Sequence, residues 1–131
     1  MNNNFSCIII DDEPCAADLL AEVLKNLYNN VKIIGIYNSW KKASLALRNM
    51  DPDILFLDIS IKGKNSMDLV KLLPNLKSEI IFVTAFSEYE LVALKYGATG
   101  YLLKPIDDIE LRATVDIAVE KINNEQNTNS G

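Results

Sequence analysis

The chain has 131 residues, of which 49% are hydrophobic and 24% are charged, and its formal net charge is −5. This length and composition are typical of one globular domain with a full hydrophobic core. The negative charge argues against direct binding to nucleic acid or to an anionic membrane, because both need a basic face on the protein. No apolar run approaches the roughly 20 residues that cross a bilayer, so we expect no membrane contact.

The cysteines and the N-terminal residues indicate a reducing compartment. Cys7 and Cys15 are too few for a disulfide framework, and the first residues lack the basic and apolar regions of a signal peptide. We therefore expect a cytoplasmic protein with reduced cysteines. The chain contains no histidine, which removes the commonest general base and zinc ligand.

Short apolar segments alternate with helical segments along the chain. Hydrophobic patterning and turn residues predict strands at residues 6–10, 31–37, 53–58, 79–84 and 100–103. Helices are predicted at residues 14–28, 39–49, 66–73, 87 or 88 to 97, and 107–123. The polar residues 124–131 have no apolar period, and we expect them to form a disordered tail after a domain of residues 1–123.

The alternation of strands and helices indicates an α/β fold, with a parallel sheet covered by helices on both faces. Right-handed crossovers leave few topologies. A flavodoxin-like, doubly wound, five-stranded sheet of order 2-1-3-4-5 is predicted, because it places the first and third strands side by side. The inward positions of two helices follow from helical spacing. They are Ala43, Leu45, Ala46 and Met50 on the second helix and Ile109, Ala113, Ile117 and Ile122 on the fifth.

Residues with reactive or charged side chains stand at four of the five strand ends. Four apolar residues lead directly to Asp58, and the first strand leads to Asp11 and Asp12. The fourth strand ends at Thr84 and the fifth is followed by Lys104. Because the carboxyl ends of parallel strands meet at one edge of the sheet, we expect these side chains to converge there.

Three converging carboxylates repel one another, so one of them must take up a proton or a cation must bind. A ligand set of oxygens without His or Cys suits Mg²⁺. Lys104 can pair with a phosphate oxygen, and Thr84 offers a hydroxyl donor. Taken singly, each residue has a structural explanation: Asp11 and Asp12 as helix caps, Asp58 as a cap or turn residue, Thr84 as the polar end of a strand and Lys104 as a solvated loop residue. Taken together, they predict a phosphoryl acceptor in which Asp58 is the nucleophile.

Residues 6 to about 122 resemble the receiver domain of a two-component response regulator. The resemblance implies that Asp58 is the phosphorylation site. It also implies that Asp11, Asp12 and Asp58 bind Mg²⁺ together with the backbone carbonyl of Ser60.

Further roles follow from the same resemblance. Thr84 corresponds to the switch hydroxyl, and Lys104 to the residue that pairs with the phosphoryl group. Tyr101 matches the switch aromatic, which turns inward when Thr84 is drawn to the phosphate. The bond before Pro105 is expected to be cis, a form largely confined to proline.

The resemblance also implies partners. The phosphodonor is expected to be a sensor histidine kinase, or a small acyl phosphate in its place. The domain is expected to catalyse only its own phosphorylation and dephosphorylation and so not to be an enzyme in the usual sense. The short fourth helix carries more apolar residues than it can bury, which is explained either by scattered apolar residues on an ordinary surface or by an interaction surface. Our hypothesis is phosphorylation-linked homodimerisation or partner docking through the fourth helix, fifth strand and fifth helix. Residues 11–14 and 84–89 look most like receivers attached to LytTR-type DNA-binding domains, so the expected output is transcriptional.

The loop after Asp58 departs from the family pattern. Receivers usually carry Met-Pro and then Gly in this loop, whereas this chain has Ile61, Lys62 and Ser66. We expect the loss of the proline to loosen the loop.

Other classes of protein are less consistent with these residues. A phosphatase of the haloacid dehalogenase type needs a second Asp two residues after the nucleophile, where this chain has Ser60. A flavodoxin needs a hydroxyl-rich phosphate loop, and a dinucleotide-binding domain needs Gly-x-Gly-x-x-Gly. A receiver-like interaction module that works without phosphate is the main alternative.

Overall fold

The computed structural model describes residues 4–130, with side chains described as far as Glu125. The strands are β1 (Phe5–Ile10), β2 (Val31–Tyr37), β3 (Ile54–Leu57), β4 (Ser60–Ile61), β5 (Lys64–Asn65), β6 (Glu79–Thr84) and β7 (Gly100–Leu103). The helices are α1 (Pro14–Leu27), α2 (Trp40–Asn49), α3 (Ser66–Val70), α4 (Glu90–Lys95) and α5 (Asp108–Ser130). Among the described residues, no helix is both long enough and apolar enough to cross a membrane.

The main sheet has five parallel strands in the order β2-β1-β3-β6-β7. Along the chain, β6 and β7 are the fourth and fifth strands of this sheet. The predicted flavodoxin-like order 2-1-3-4-5 is therefore confirmed. The strands β4 and β5 form a separate antiparallel pair, which the sequence did not predict. This small hairpin lies in the loop that follows Asp58.

Helices cover both faces of the sheet, because side chains alternate between the two faces of each strand. One core cluster joins Ile9 and Phe56 to buried residues of α1 and α5. The other joins Ile8 and Leu57 to α2, α3 and α4. The four residues of β3 are fully buried, as expected for the central strand of a sheet covered on both faces.

Three of the four positions predicted to face inward on α5 are exposed, namely Ile109, Ala113 and Ile117, whereas Ile122 packs against the core as predicted. Ile109 is 80% exposed and Ile117 is half exposed, whereas Leu111, Val115 and Ala118 are fully buried. The helix has two apolar stripes at helical spacing, and the one beginning at Leu111 faces the sheet. Two positions predicted to be partly inward on α2, Leu45 and Met50, are likewise exposed, while Ala43 of that helix is buried.

The predicted end of the last helix is also wrong, since α5 continues to Ser130 instead of ending near residue 123. The division into a domain of residues 1–123 and a disordered tail stays a prediction, and Gly131 lies outside the described residues. The physical reason for the longer helix is that the chain has no Gly or Pro between Asp108 and Ser130. Each further residue adds a backbone hydrogen bond to a helix that has already nucleated.

Candidate functional site

The carboxyl edge of the sheet brings the predicted residues together. Asp11 follows β1, Asp58 follows β3, Thr84 ends β6 and Lys104 follows β7. Both aspartates and Thr84 are buried, and Asp12 is half-buried. The backbone amide of Asp58 donates to the carbonyl of Ile10, which extends the β1–β3 pairing up to the site. The register of the parallel strands therefore fixes the spacing of these side chains.

Lys104 links the carboxylates. Its Nζ lies 2.9 Å from Oδ2 of Asp58 and 2.9 Å from Oδ2 of Asp11, and 3.6 Å from Oε1 of Glu13. Burial lowers the pKa of Lys104, but its hydrogen bonds to Asp11 and Asp58 outweigh burial and raise that pKa above its ordinary value. The ammonium group therefore stays charged at neutral pH and offsets part of the repulsion between the acids.

The acidic residues form a compact cluster of oxygen ligands. Asp11, Asp12, Glu13 and Asp58 each offer a carboxylate oxygen, and these four atoms lie within 4.8 Å of one another. Burial raises the pKa of Asp11, and its bonds with Lys104 and with the Glu13 amide offset this only in part. A divalent cation would reverse that effect, so the cluster fits a hard ion such as Mg²⁺. The sequence did not single out Glu13 as a ligand, although its place beside the acidic pair was a signal.

Backbone amides hold three of these carboxylates, and the Glu13 amide is the one that donates to Oδ1 of Asp11. The Ser60 amide donates to Oδ1 of Asp58 at 3.2 Å, so both oxygens of Asp58 have a partner. The amide of Lys62 donates to Oδ2 of Asp12 at 2.8 Å. The predicted role of the Ser60 carbonyl as a metal ligand stays a prediction.

The proposed switch residues lie beside the acidic cluster. The Thr84 Oγ1 accepts a hydrogen bond from the Phe86 amide at 3.4 Å. The Tyr101 ring packs against Phe82 with 6.1 Å between ring centroids, and its hydroxyl donates to the carbonyl of Phe86. Burial, with the nearby carboxylates of Glu90 and Glu88, raises the pKa of Tyr101 to about 12. This hydroxyl is therefore a neutral donor at physiological pH.

The peptide bond between Lys104 and Pro105 is cis, as predicted. A buried carboxylate paired with a charged lysine, beside three further acids, is suited to accept a phosphoryl group. Among the residues that the structure describes, the cluster consists of carboxylates and includes no Cys or His, in keeping with a hard cation.

Comparison with known proteins shows the family. The profile of the response regulator receiver domain matches residues 7–116, and the chain belongs to this family. It is 34% identical over 131 residues to the sensory transduction protein LytT of Bacillus subtilis, covering 95% of this chain and 54% of that protein. It is 36% identical over 109 residues to the transcriptional regulatory protein BtsR of Escherichia coli K12, covering 82% of this chain and 45% of that protein. The similarity to LytT agrees with the resemblance to the LytTR-type class.

The chain spans about half the length of these curated relatives. Among solved structures, it is similar to the signal receiver domain of a DNA-binding response regulator from Colwellia psychrerythraea 34H. The TM-score is 0.77 at 27% identity, with 89% of this chain and 99% of that chain covered. The family and the flavodoxin-like fold predicted from the sequence are therefore confirmed.

Proposed function

We propose that this receiver domain accepts a phosphoryl group on Asp58, in a Mg²⁺-dependent reaction, from the phosphohistidine of a sensor kinase or from a small acyl phosphate. The observation that carries the proposal is the position of the Lys104 Nζ, which lies 2.9 Å from Oδ2 of Asp58 and 2.9 Å from Oδ2 of Asp11. These two carboxylates belong to the cluster of four acidic residues. A charged lysine on a buried carboxylate is the arrangement that phosphoryl transfer needs. The domain catalyses only its own phosphorylation and dephosphorylation.

The chemistry follows from the side chains. A carboxylate oxygen of Asp58 attacks phosphorus, the bond from phosphorus to the donor breaks, and the donor atom leaves with the electron pair. Lys104 pairs with a phosphoryl oxygen and neutralises the charge that develops there. Asp11, Asp12, Asp58 and the Ser60 carbonyl are the groups that would hold Mg²⁺. When bound, the ion supplies further neutralisation of the phosphoryl oxygens.

The added charge biases a switch. A phosphorylated aspartate carries about −1.5 to −2 charges, by analogy with other phosphorylated residues, whereas the free carboxylate carries −1. The hydroxyl of Thr84 donates to a phosphoryl oxygen, and Tyr101 leaves its bond to Phe86 and turns inward. These contacts differ between the two states, so phosphorylation shifts an equilibrium that exists before it.

The output is proposed to be control of dimerisation or of an output domain, with transcription as the regulated process. The supporting observation is the set of exposed apolar side chains on the α4 region and on β7, the strand that contains Tyr101. The relatives named above are a sensory transduction protein and a transcriptional regulatory protein, which agrees with this proposal. We place the domain in the cytoplasm.

The test is the intact mass of the protein after incubation with Mg²⁺ and acetyl phosphate, beside the variant Asp58→Asn. We expect a single phosphoryl adduct that needs Mg²⁺ and disappears in the variant. Because Asn is close in shape to Asp, the control keeps the fold while removing the nucleophile. No adduct and no Mg²⁺ binding would favour the phosphate-independent module and contradict the proposal.

A further inference from the structure

The hairpin after Asp58 carries a backbone donor that points at the acidic cluster. We propose that the amide N–H of Lys62 is a positioning group for Asp12, holding this carboxylate in the orientation that binds the metal ion. The proposal rests on the proposed function. It assigns a role to the residue at which the loop departs most from the family pattern.

The turn geometry makes this amide available. Ile61 pairs with Lys64 across β4 and β5, so Lys62 and Gly63 form a two-residue turn. Their φ angles are 50° and 80°, both in the left-handed region, as in a type I′ hairpin turn. In a two-residue turn the amide of the first residue is not used by the strand ladder. Here it donates to Oδ2 of Asp12 at 2.8 Å, across 50 residues of sequence.

The hairpin is anchored well enough to hold a carboxylate. Its base is fixed by Ser66, which is fully buried. The Ser66 hydroxyl donates to the Asp58 carbonyl at 2.5 Å, and its amide donates to the Ile59 carbonyl at 2.7 Å. Ile61 is buried in the core cluster beneath α2, α3 and α4. The turn that carries the Lys62 amide is therefore held on one side by the bonds of Ser66 to Asp58 and Ile59, and on the other side by Ile61 in the core.

The bond leaves Asp12 able to bind a cation. A carboxylate has two oxygens and about four lone-pair directions, so one N–H donor does not saturate it. Hydrogen bonds of this kind orient metal-binding carboxylates in other proteins. The left-handed φ of Lys62 is unfavourable for a side chain with a Cβ atom, and the bond to Asp12 offsets part of that cost.

Proline is the informative substitution, because it has no N–H and its φ is fixed near −65°. We compare Lys62→Pro with Lys62→Ala and Lys62→Gly, which both keep the amide, by measuring Mg²⁺ affinity calorimetrically on the full chain. Loss of such a supporting bond typically weakens metal binding by about 10- to 100-fold, so we expect about tenfold for Lys62→Pro. The Ala and Gly variants are expected to stay within about twofold of the wild type, since they remove only the side chain.

A second measurement does not depend on the proline variant folding. In metal-free protein, hydrogen exchange of the Lys62 amide is expected to be about tenfold faster in Asp12→Ala than in the wild type, because the acceptor is gone. Unchanged exchange, or Mg²⁺ affinity in Lys62→Pro equal to that of the wild type, would overturn the proposal. Equal weakening in Lys62→Ala would assign the effect to the side-chain charge and overturn it too. A wild-type chain that binds no Mg²⁺ at all would contradict the proposed function itself, a distinct result.

Discussion

Lys104 shows how position in a fold determines what a residue does. A lysine before proline at the end of a strand is commonly a solvated loop residue. Here its side chain is largely buried and its ammonium group bonds Asp11 and Asp58. Burying several charges is costly unless they are paired, and Lys104 supplies the positive partner that the acids need.

The two cysteines differ in their surroundings, which predicts their reactivity. Cys7 is fully buried in β1, and burial with the nearby Asp53 carboxylate raises the pKa of its thiol to about 12. Cys15 is free and exposed near the start of α1. The thiolate is the reactive form, so we expect Cys7 to be inert in the native protein.

The measurement is mass spectrometry after iodoacetamide treatment at pH 8. We expect one adduct in the native protein and two in denaturant, and none in native Cys15→Ser. Native labelling of Cys7 at a rate similar to Cys15 would show that β1 is accessible and contradict the buried position of this thiol.

The convergence of Asp11, Asp58, Thr84 and Lys104 was predictable because each of them lies at the carboxyl end of a strand of the main sheet. Asp58, Thr84 and Lys104 are far apart in sequence, but the parallel sheet brings every carboxyl end to the same edge. The bond from Lys62 to Asp12 was not predictable, because its donor is a backbone amide that leaves no trace in residue type. The expectation that the loop without proline is loose did not anticipate the β4–β5 hairpin, which depends on the left-handed φ of Lys62 and Gly63.

At the scale of elements, strands were easier to predict than helix faces. The bounds of β2, β6 and β7 are those expected from the apolar runs, because each run is short and continuous. Helix α2 begins after Ser39 as predicted, and the Ser39 hydroxyl accepts from the Lys42 amide. Helix α5 has two competing apolar stripes, and contacts distant in sequence determine which one is buried.

Two contacts fix the rotation of α5. The Tyr28 hydroxyl, just after α1, donates to Oδ1 of Asp116 at 2.8 Å. On the sheet side, Thr114 packs over Gly100 of β7. Neither contact can be read from the local spacing of apolar residues. The sequence alone therefore could not show whether the stripe that contains Ile109 or the stripe that contains Leu111 is buried.

The contact at Gly100 gives a prediction for this packing. A Cβ atom at Gly100 would lie 2.2 Å from Cγ2 of Thr114, far closer than atoms can approach. Thr is stiff at χ1, so it cannot move away without strain. We expect Gly100→Ala to lower the free energy of unfolding by about 1–3 kcal/mol, the usual cost of overpacking.

Thr114→Ser provides the matched control, because it removes Cγ2 and keeps the hydroxyl. Urea unfolding of both single variants and the double variant measures the coupling. The double variant is expected to recover most of the loss. A Gly100→Ala variant as stable as the wild type would show that α5 does not press on β7 at this point.

At the scale of the whole molecule, the site and the exposed apolar residues lie on connected elements. The edge strand β7 carries Tyr101 toward the site and is followed by Lys104, which bonds Asp58. Leu91, Leu94 and Tyr96 of the α4 region and Leu103 of β7 are exposed. A surface of this kind on the elements around Tyr101, the proposed switch residue, is suited to a partner that binds one state in preference to the other.

The surface of α4, β7 and α5 gives the last prediction, a homodimer that forms on phosphorylation. Sedimentation of the protein with and without beryllofluoride, a mimic of the phosphoryl group on Asp58, measures it. We expect a monomer without the mimic and a dimer with it. Leu91 is 73% exposed, so Leu91→Glu should leave the fold intact and abolish the dimer.

Leu72 lies just after α3, outside this surface, and is 71% exposed. Leu72→Glu adds the same charge at similar exposure and should leave the dimer unchanged. A monomer in both states, or equal loss of the dimer in both variants, would contradict an interface on α4, β7 and α5, while the chemistry at Asp58 would stand on its own test.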